Sequence, residues 1–172
     1  MTVDLTNHQV PKYDEVFTSD KRHDYCVAIF VINEGEKLHK QLQRMKDSQL
    51  NVDVIISDGG STDGSTDTKV LQSLNVNTLL VKKEVGKLGS QMRIAFSWAL
   101  EKGYKGVVVI DGNNKDSVEN INDFVIKLEE GYDHIQGSRF IPGGKAINTP
   151  SSRLLGLKLL HVPMMRIASG FR

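Results

Sequence analysis

The sequence has little of several residue types, and each shortage excludes a class of protein. The 172 residues contain one cysteine, Cys26, so a disulfide framework is impossible and a reducing compartment is expected. Aromatic residues make up 6% of the chain, which argues against a protein built on aromatic stacking. No apolar run reaches the length of about 18 residues that a membrane-spanning helix needs. The first residues lack the apolar core of a signal peptide, so we expect a cytoplasmic protein.

Common nucleotide and metal motifs are also missing. No G-x-G-x-x-G opens a helix after the first predicted strand, which disfavours a dinucleotide-binding Rossmann domain. The absence of G-x-x-x-x-G-K-[ST] excludes a P-loop, and no His/Cys cluster has zinc-site spacing. We expect no nucleic-acid partner.

The composition is that of a globular domain, with 39% hydrophobic and 25% charged residues, but the charge is unevenly placed. Six of the 22 basic residues and none of the 21 acidic residues lie after residue 137. The first 137 residues therefore carry 16 basic and 21 acidic residues, although the net charge of the chain is +1. A basic end on an otherwise acidic chain indicates an anionic partner for that segment.

Apolar runs alternate with helical periodicity along most of the chain. They predict strands at 25–32, 52–57, 76–81, 107–110 and 134–137, with helices between them. This alternation predicts a doubly wound, mostly parallel α/β sheet with helices on both faces, in which the β-branched run 107–110 is covered on both sides. Residues 1–24 are expected to form a polar extension or an edge-packed arm. A helix is expected from Ser151 to His161, where Pro163 should kink or end it.

Polar residues follow three of these strands, at Asn33-Glu34, at Asp58 and at Asp111. In an open α/β sheet, ligands bind at the carboxyl ends of the strands. Local structure explains part of the pattern: Asn33 can cap the next helix, and the residues after Asp111 can form a turn followed by a capping box that begins at Asp116. Local structure does not explain the two acidic residues Glu34 and Asp58.

Two glycine-containing loops add to the pattern. Residues 58–65 read D-G-G-S-T-D-G-S, and Gly59 would let a ligand approach the backbone. The segment G-K-L-G at 86–89 opens a helix whose free N–H groups could meet an anion, with Lys87 and Arg93 adding positive charge.

Taken together, these motifs resemble the family 2 glycosyltransferases, which have the GT-A nucleotide-diphospho-sugar transferase fold. Within that family the chain is most similar to the polyprenyl-phosphate sugar transferases of the dolichyl-phosphate mannose synthase type. The matching segments are N-E at 33–34, D-G-G-S-T-D-G-S at 58–65, G-K-L-G-S at 86–90, D-G-N at 111–113, G-S-R at 137–139, P-G-G at 142–144 and Arg153. The chain departs from the family at Asn113, which stands in place of a second carboxylate, at Lys115, where this branch often has Gln, and before Asn33, where the usual proline is missing.

The resemblance implies transfer of a sugar, with inversion, from a UDP- or GDP-sugar to an acceptor such as a polyprenyl phosphate, in cell-envelope polysaccharide synthesis. It implies Mg²⁺ or Mn²⁺ as cofactor, bound weakly because Asn113 is neutral and Lys115 is basic. The implied catalytic residues are Asp111, Arg139 and Arg153, and the implied metal ligands are Asp111 and Asn113. The implied nucleotide-sugar site comprises Asn33, Glu34, Asp58, Gly59, Gly86, Lys87 and Lys115.

The family usually continues beyond the length of this chain, so we interpret residues 25–172 as a GT-A domain cut short at its carboxyl end. The basic helical tail 151–172 is either a core-packing helix or an interfacial helix that holds the protein peripherally at an anionic membrane face. Two other functions stay open. One is a nucleotide-sugar-binding module without turnover, and the other is a nucleotidyltransferase, which would need a glycine-rich G-G-x-G-T-R type loop that the first strand lacks.

Overall fold

The computed structural model describes residues 9–138 and 151–170, apart from the side chains of 151, 153, 154 and 158. The chain divides into two units, residues 1–135 and 136–172. The strands, all in the first unit, are β1 (Tyr13–Thr18), β2 (Tyr25–Val31), β3 (Asp53–Asp58), β4 (Thr78–Lys82) and β5 (Gly106–Asp111). Its helices are α1 (Glu36–Asp47), α2 (Thr68–Ser73), α3 (Leu88–Glu101) and α4 (Ile121–Glu129), and a 3-10 turn, Val118–Asn120, leads into α4.

The strands form one sheet in the order β1-β4-β3-β2-β5. β4, β3, β2 and β5 are parallel, and β1 is antiparallel to β4. The predicted mostly parallel α/β sheet is therefore confirmed. The carboxyl ends of β2, β3 and β5 are adjacent, because Val31 is in register with Asp58 and Phe30 with Asp111.

Helices cover both faces of the sheet, as predicted. On one face, Leu38, Leu42 and Met45 of α1 pack against β2, β3 and β5, beside buried residues of α4. On the other face, α3 packs Ile94 and Trp98 against the strands. Each fully buried leucine of α1 contributes about 1.5–3 kcal/mol of burial free energy, so the face pattern dominates the placement of this helix.

The segment predicted as an extension or edge-packed arm supplies a strand of its own. Residues 13–18 form β1 at the outer side of β4, with a register shift between Glu15 and Phe17. Glu15 accepts a hydrogen bond of 2.6 Å from Trp98 Nε1, and Phe17 packs against the core. The polar side chains of β1 suit an outer strand, whose exposed side chains hide its pattern from a search for apolar runs.

Two strand predictions were wrong. Residues 134–137 form no strand, since Ile135 is the only apolar side chain in that short stretch. The run 107–110 is not covered on both faces, because Val109 is 44% exposed. In addition, β5 is one of the two outer strands of the described sheet. A β-branched run indicates a strand, but it does not say how many neighbours that strand has.

Cys26 lies in the core, as predicted. It is fully buried on β2, and this burial, with the nearby Asp53 charge, raises the pKa of its thiol to about 12. The thiol is therefore protonated at neutral pH and behaves as a small apolar side chain.

The second unit contains a continuous helical stretch. It consists of α5 (Ser151–Gly156), a π-helical turn (Leu157–His161) and α6 (Val162–Ser169). The helix continues past Pro163, which occupies the first turn of α6, so the helix does not end there, and a π-helical turn lies directly before α6. Many of its described apolar side chains are exposed, and they include Leu155, Leu159, Leu160, Met164, Met165 and Ile167. No helix among the described residues is long and apolar enough to cross a bilayer.

Candidate functional site

The Asp58 loop, residues 58–67, is organised by the carboxylate at its start. Asp58 is 2% exposed, and its Oδ1 accepts hydrogen bonds from Gly60 N at 3.1 Å, Ser61 N at 2.9 Å and Ser61 Oγ at 2.7 Å. Its Oδ2 accepts from Thr66 Oγ1 at 3.3 Å. These contacts give Asp58 the local role that the sequence pattern did not supply. Its predicted contact with the nucleotide stays a prediction.

The turn after β2 is hydrogen-bonded to this loop. Asn33 Oδ1 accepts from Thr62 N at 2.8 Å, and Asn33 N donates to Ser61 Oγ at 3.0 Å. Gly35 N donates to Asp63 Oδ2 at 2.8 Å. The prediction that Asn33 caps α1 was therefore wrong: the residue before α1 is Gly35, and the Asn33 side chain binds the neighbouring loop instead.

Asp63 fixes the far side of the same loop. Its Oδ1 accepts from the Ser65 hydroxyl at 2.6 Å and from Ser65 N at 3.0 Å. These bonds, led by the hydroxyl, hold the pKa of Asp63 below its ordinary value. The cap of α2 is Asp67, which accepts hydrogen bonds from Lys69 N and Val70 N.

Gly59 lies where the loop passes α3. A Cβ at this position would lie 3.2 Å from Gln91 Nε2 and 3.4 Å from Ile32 Cβ. Gln91 is buried and donates from Nε2 to Val31 O and Ser57 O, both at 2.8 Å, so it joins the ends of β2 and β3. A side chain at position 59 would therefore crowd Gln91, so packing favours glycine here, apart from any ligand.

The Asp111 loop, residues 111–117, follows β5 and has a different character. The Asp111 side chain is exposed, and its described polar contact is a long one, 3.5 Å from Asn113 Nδ2. Asn113 Oδ1 accepts from Lys115 N at 3.1 Å, and the Lys115 side chain is exposed. Asp116 Oδ2 accepts from Asp111 N at 3.1 Å, so the predicted capping box at Asp116 was wrong: its carboxylate closes the loop.

Two residues of α1 that the sequence patterns did not identify hold the Asp111 loop. Gln41, fully buried, donates from Nε2 to Asp111 O at 2.8 Å and accepts from Asn114 N at 2.7 Å. Arg44 donates to Asn114 Oδ1 at 2.8 Å and pairs with Glu119 at 2.7 Å. A glutamine on the apolar stripe of a helix was the available signal, since a buried amide must find partners.

Asp58 and Asp111 do not converge. Asp58 is in register with Val31 and Asp111 with Phe30, and consecutive residues of β2 face opposite sides of the sheet. The two carboxylates therefore lie at the ends of β3 and β5, the two strands that flank β2, and on opposite faces of the sheet. Consistently, no group of three His, Cys, Asp or Glu side chains within the described ranges is arranged to hold a metal ion.

The remaining predicted residues lie at the same edge of the sheet or outside the described residues. Glu34 is 24% exposed in its side chain, and its carboxylate is 3.9 Å from Lys37 Nζ. Gly86 has a φ of +152°, and a Cβ there would collide with Ser90, so the turn before α3 requires glycine. Lys87 precedes α3 and is exposed. Arg139 and the side chain of Arg153 lie outside the described residues, so their catalytic roles stay predictions.

Comparison with known proteins identifies relatives of one kind, although no family model matches the chain. The undecaprenyl-phosphate mannosyltransferase of Micrococcus luteus is 33% identical over 124 residues, which cover 70% of this chain and 50% of that protein. The polyprenol monophosphomannose synthase of Mycolicibacterium smegmatis is 28% identical over 157 residues, covering 85% of this chain and 59% of that protein. Glycosyltransferase AglJ of Haloferax volcanii is 28% identical over 154 residues, covering 86% of this chain and 48% of that protein.

A solved structure, assigned as a nucleotide-diphospho-sugar transferase from Desulfovibrio desulfuricans, covers 63% of this chain and 55% of its own. Its sequence identity with this chain is 15% and its TM-score is 0.45. The chain spans about half to three-fifths of the length of the curated relatives it matches. By sequence, the chain is related to the polyprenyl-phosphate sugar transferases, as its motifs predicted.

Proposed function

We propose that the chain is the nucleotide-sugar-binding part of a glycosyltransferase that transfers a mannosyl group from a nucleotide-diphosphate sugar to a polyprenyl phosphate. The observation that carries this proposal is the exposed Asp111 carboxylate on a firmly held loop, beside the hydrogen-bonded Asp58 loop. Both loops lie at the carboxyl edge of a parallel sheet, where ligands of such folds bind. The names of the relatives supply the sugar and the lipid acceptor.

The two loops suit different parts of the donor. The Asp58 loop and Glu34 offer backbone and carboxylate groups for the base and ribose. Asp111, on the other face of β2, would act at the diphosphate, where negative charge develops as the nucleotide leaves. A lipid phosphate is already an anion, so its oxygen could attack the anomeric carbon directly and invert it without a dedicated general base.

The residues around Asp111 fit a divalent cation that is held mainly by the nucleotide. Mg²⁺ is often bound by one or two carboxylates together with substrate phosphates. Asp111 supplies one exposed carboxylate, whereas Asn113 directs its amide nitrogen toward Asp111 and its oxygen toward Lys115 N. When bound, Mg²⁺ or Mn²⁺ would neutralise charge on the leaving diphosphate. Asp111 would hold the ion and Lys115 would contact phosphate directly.

Calorimetry tests the metal and lysine parts of this proposal. Asp111→Ala should abolish the gain in nucleotide affinity that Mg²⁺ or Mn²⁺ provides. Lys115→Ala should weaken nucleotide binding with and without metal. Tight metal-dependent binding that Asp111→Ala removes and Lys115→Ala leaves unchanged would reject the role of the lysine.

The second unit suits the acceptor side of the reaction. Its helices expose leucine, methionine and isoleucine side chains, and the segment after residue 137 carries basic residues without acidic ones. We interpret this helical stretch as an interfacial segment that rests on an anionic membrane. The full chain should float with acidic vesicles, and Ile167→Glu should reduce flotation because Ile167 is 84% exposed. No binding to acidic vesicles would remove the membrane interpretation.

A turnover assay distinguishes a glycosyltransferase from a nucleotide-sugar-binding module without turnover. The orientation of the Asn113 amide favours the binding module. Labelled GDP-mannose and UDP-sugars are incubated with polyprenyl phosphate, Mn²⁺ and the protein. We expect a labelled lipid-linked sugar from one donor. Nucleotide binding without sugar transfer would support the binding module instead. The absence of both nucleotide binding and sugar transfer would reject both functions.

A further inference from the structure

One helix, α1, is hydrogen-bonded to both loops of the candidate site. At its amino end, Gly35 N donates to Asp63 Oδ2 at 2.8 Å, and His39 Nε2 lies 2.9 Å from Ser65 O. These contacts join α1 to the Asp58 loop. Further along the same helix, Gln41 contacts the Asp111 loop. The helix α1 therefore connects the two loops and fixes the position of one relative to the other.

Gln41 makes the closest contact between α1 and the Asp111 loop. Its amide is fully buried and both of its ends are used, since Nε2 donates to Asp111 O and Oε1 accepts from Asn114 N. Leaving a buried amide without partners is costly, so these two bonds define one geometry for the loop backbone. Asn114 has a φ of +59°, an uncommon conformation that the bond to its N–H helps to maintain.

Arg44 provides a second, independent contact one turn later. Its guanidinium donates to Asn114 Oδ1 at 2.8 Å and to Asp116 O at 3.4 Å. The same group forms an ion pair of 2.7 Å with Glu119, at the start of the next helical segment. The Asp111 loop is thus held through its backbone by Gln41 and through a side chain by Arg44.

We propose that Gln41 is a positioning residue for the donor diphosphate. It does not touch the ligand: it holds the backbone on which the Asp111 carboxylate is displayed, and α1 fixes that backbone relative to the Asp58 loop. This inference rests on the proposed function, because the role of Gln41 is defined by what Asp111 binds. It assigns α1 the task of keeping the two halves of the donor site in register.

The test compares two glutamines of the same helix. Gln41→Leu keeps the approximate volume and removes both bonds, whereas Gln43→Leu removes an exposed glutamine whose Nε2 contacts only Asp47 within α1 in the described structure. The readouts are GDP and UDP affinity with and without Mn²⁺, the electron paramagnetic resonance signal of bound Mn²⁺, and amide hydrogen exchange of Asn114.

Gln41→Leu should lower Mn²⁺-dependent nucleotide affinity by about 10- to 100-fold, the range typical of residues that support a metal ligand. It should change the spectrum of the bound ion and accelerate exchange at Asn114. Metal-free nucleotide affinity should fall less than Mn²⁺-dependent affinity, because without metal only the phosphate contact of Lys115 on this loop is disturbed. Gln43→Leu should stay within about twofold on every readout, as expected for an exposed substitution.

Arg44→Lys is the second variant, and it decides the question if Gln41→Leu does not fold. It retains a positive charge for Glu119 but cannot also donate to Asn114 and Asp116, so Mn²⁺-dependent affinity should fall. If Gln41→Leu folds and keeps the wild-type Mn²⁺-dependent affinity, the positioning role is wrong but the proposed function is not. If only Arg44→Lys folds, the same result in that variant has the same meaning. A wild-type protein that binds neither nucleotide would instead reject the proposed function, while exchange at Asn114 still reports whether α1 holds the loop.

Discussion

At the scale of single residues, Asp58 and Asp111 are the last residues of two strands of the same sheet, and they differ in burial. Asp58 is buried, and its oxygens accept hydrogen bonds from its own loop, whereas Asp111 is exposed with one weak contact at 3.5 Å. A carboxylate that already has several donors shapes its surroundings, while an exposed one can take a new partner. We therefore expect Asp58 to shape the proposed site and Asp111 to be open to a ligand.

The first prediction concerns Asp58. Asp58→Asn keeps the shape of the side chain but replaces one acceptor oxygen with a donor that faces other donors. The free energy of unfolding should fall by about 1–3 kcal/mol, the range for leaving a buried donor or acceptor without a partner, as measured by urea denaturation. Asp67→Asn is the control, because asparagine caps a helix as well as aspartate does. Equal unfolding midpoints for Asp58→Asn and the wild type would contradict the structural role.

The second prediction concerns the pKa of Asp63. Because the folded-state pKa is lowered, chiefly by the Ser65 hydroxyl, this carboxylate stabilises the fold above its ordinary pKa, and that stabilisation is lost as the pH falls through the lowered value. Ser65→Ala should raise the pKa of Asp63 toward its ordinary value in a carboxyl NMR titration. Ser73→Ala, which removes a hydroxyl bonded to Val70 O elsewhere, should not. An unmoved Asp63 titration in Ser65→Ala would show that other groups set its pKa.

Residue patterns predicted the strand ends of the site but not what joins them. Asn33, Glu34, Asp58 and Asp111 are found at the carboxyl edge because apolar runs fix where strands stop. The hydrogen bonds of Gln41 and Arg44 join residues that are 70 to 75 positions apart in the sequence, and no local pattern encodes them. The capping prediction for Asn33 failed for the same reason, since its side chain binds Thr62 N of a distant loop. The prediction for Asp116 failed because its carboxylate binds Asp111 N within its own loop.

At the scale of elements, the sequence predicted β2, β3, β4 and the helices of the first unit with small boundary shifts, because each combines an apolar run or stripe with clear end signals. It missed β1, whose exposed side chains carry little pattern, and it overestimated the burial of β5. Strand order depends on long-range pairing, so a run that reads as central can lie at the outside of the described sheet.

The third prediction uses two neighbouring valines of β5. Val108 is 6% exposed and packs in the core, whereas Val109 is 44% exposed on the other face. Val108→Ala should lower the free energy of unfolding by about 1–3 kcal/mol, and Val109→Ala should change it by less than about 0.5 kcal/mol. Urea denaturation of the two variants measures both values. Equal losses would show that another part of the protein covers the outer face of β5.

At the scale of the whole molecule, the first unit offers a two-loop site held together by α1, and the second unit offers an exposed apolar helix. Two relatives are named for a mannosyl group and a polyprenyl compound. In the proposed function, the first unit would bind the sugar donor and the second would contact the lipid acceptor. We propose that the carboxyl edge of the sheet binds a nucleotide diphosphate and that Asp111 couples this binding to a divalent cation.

The most direct measurement of that claim is isothermal titration of GDP and UDP into the full chain, with and without Mn²⁺, for the wild type and Asp111→Asn. We predict that the wild type binds one of the two nucleotides, that Mn²⁺ tightens this binding, and that Asp111→Asn loses the tightening while its fold is unchanged by circular dichroism. Absence of binding to either nucleotide in both conditions, or Mn²⁺-tightened binding that Asp111→Asn leaves intact, would contradict the account.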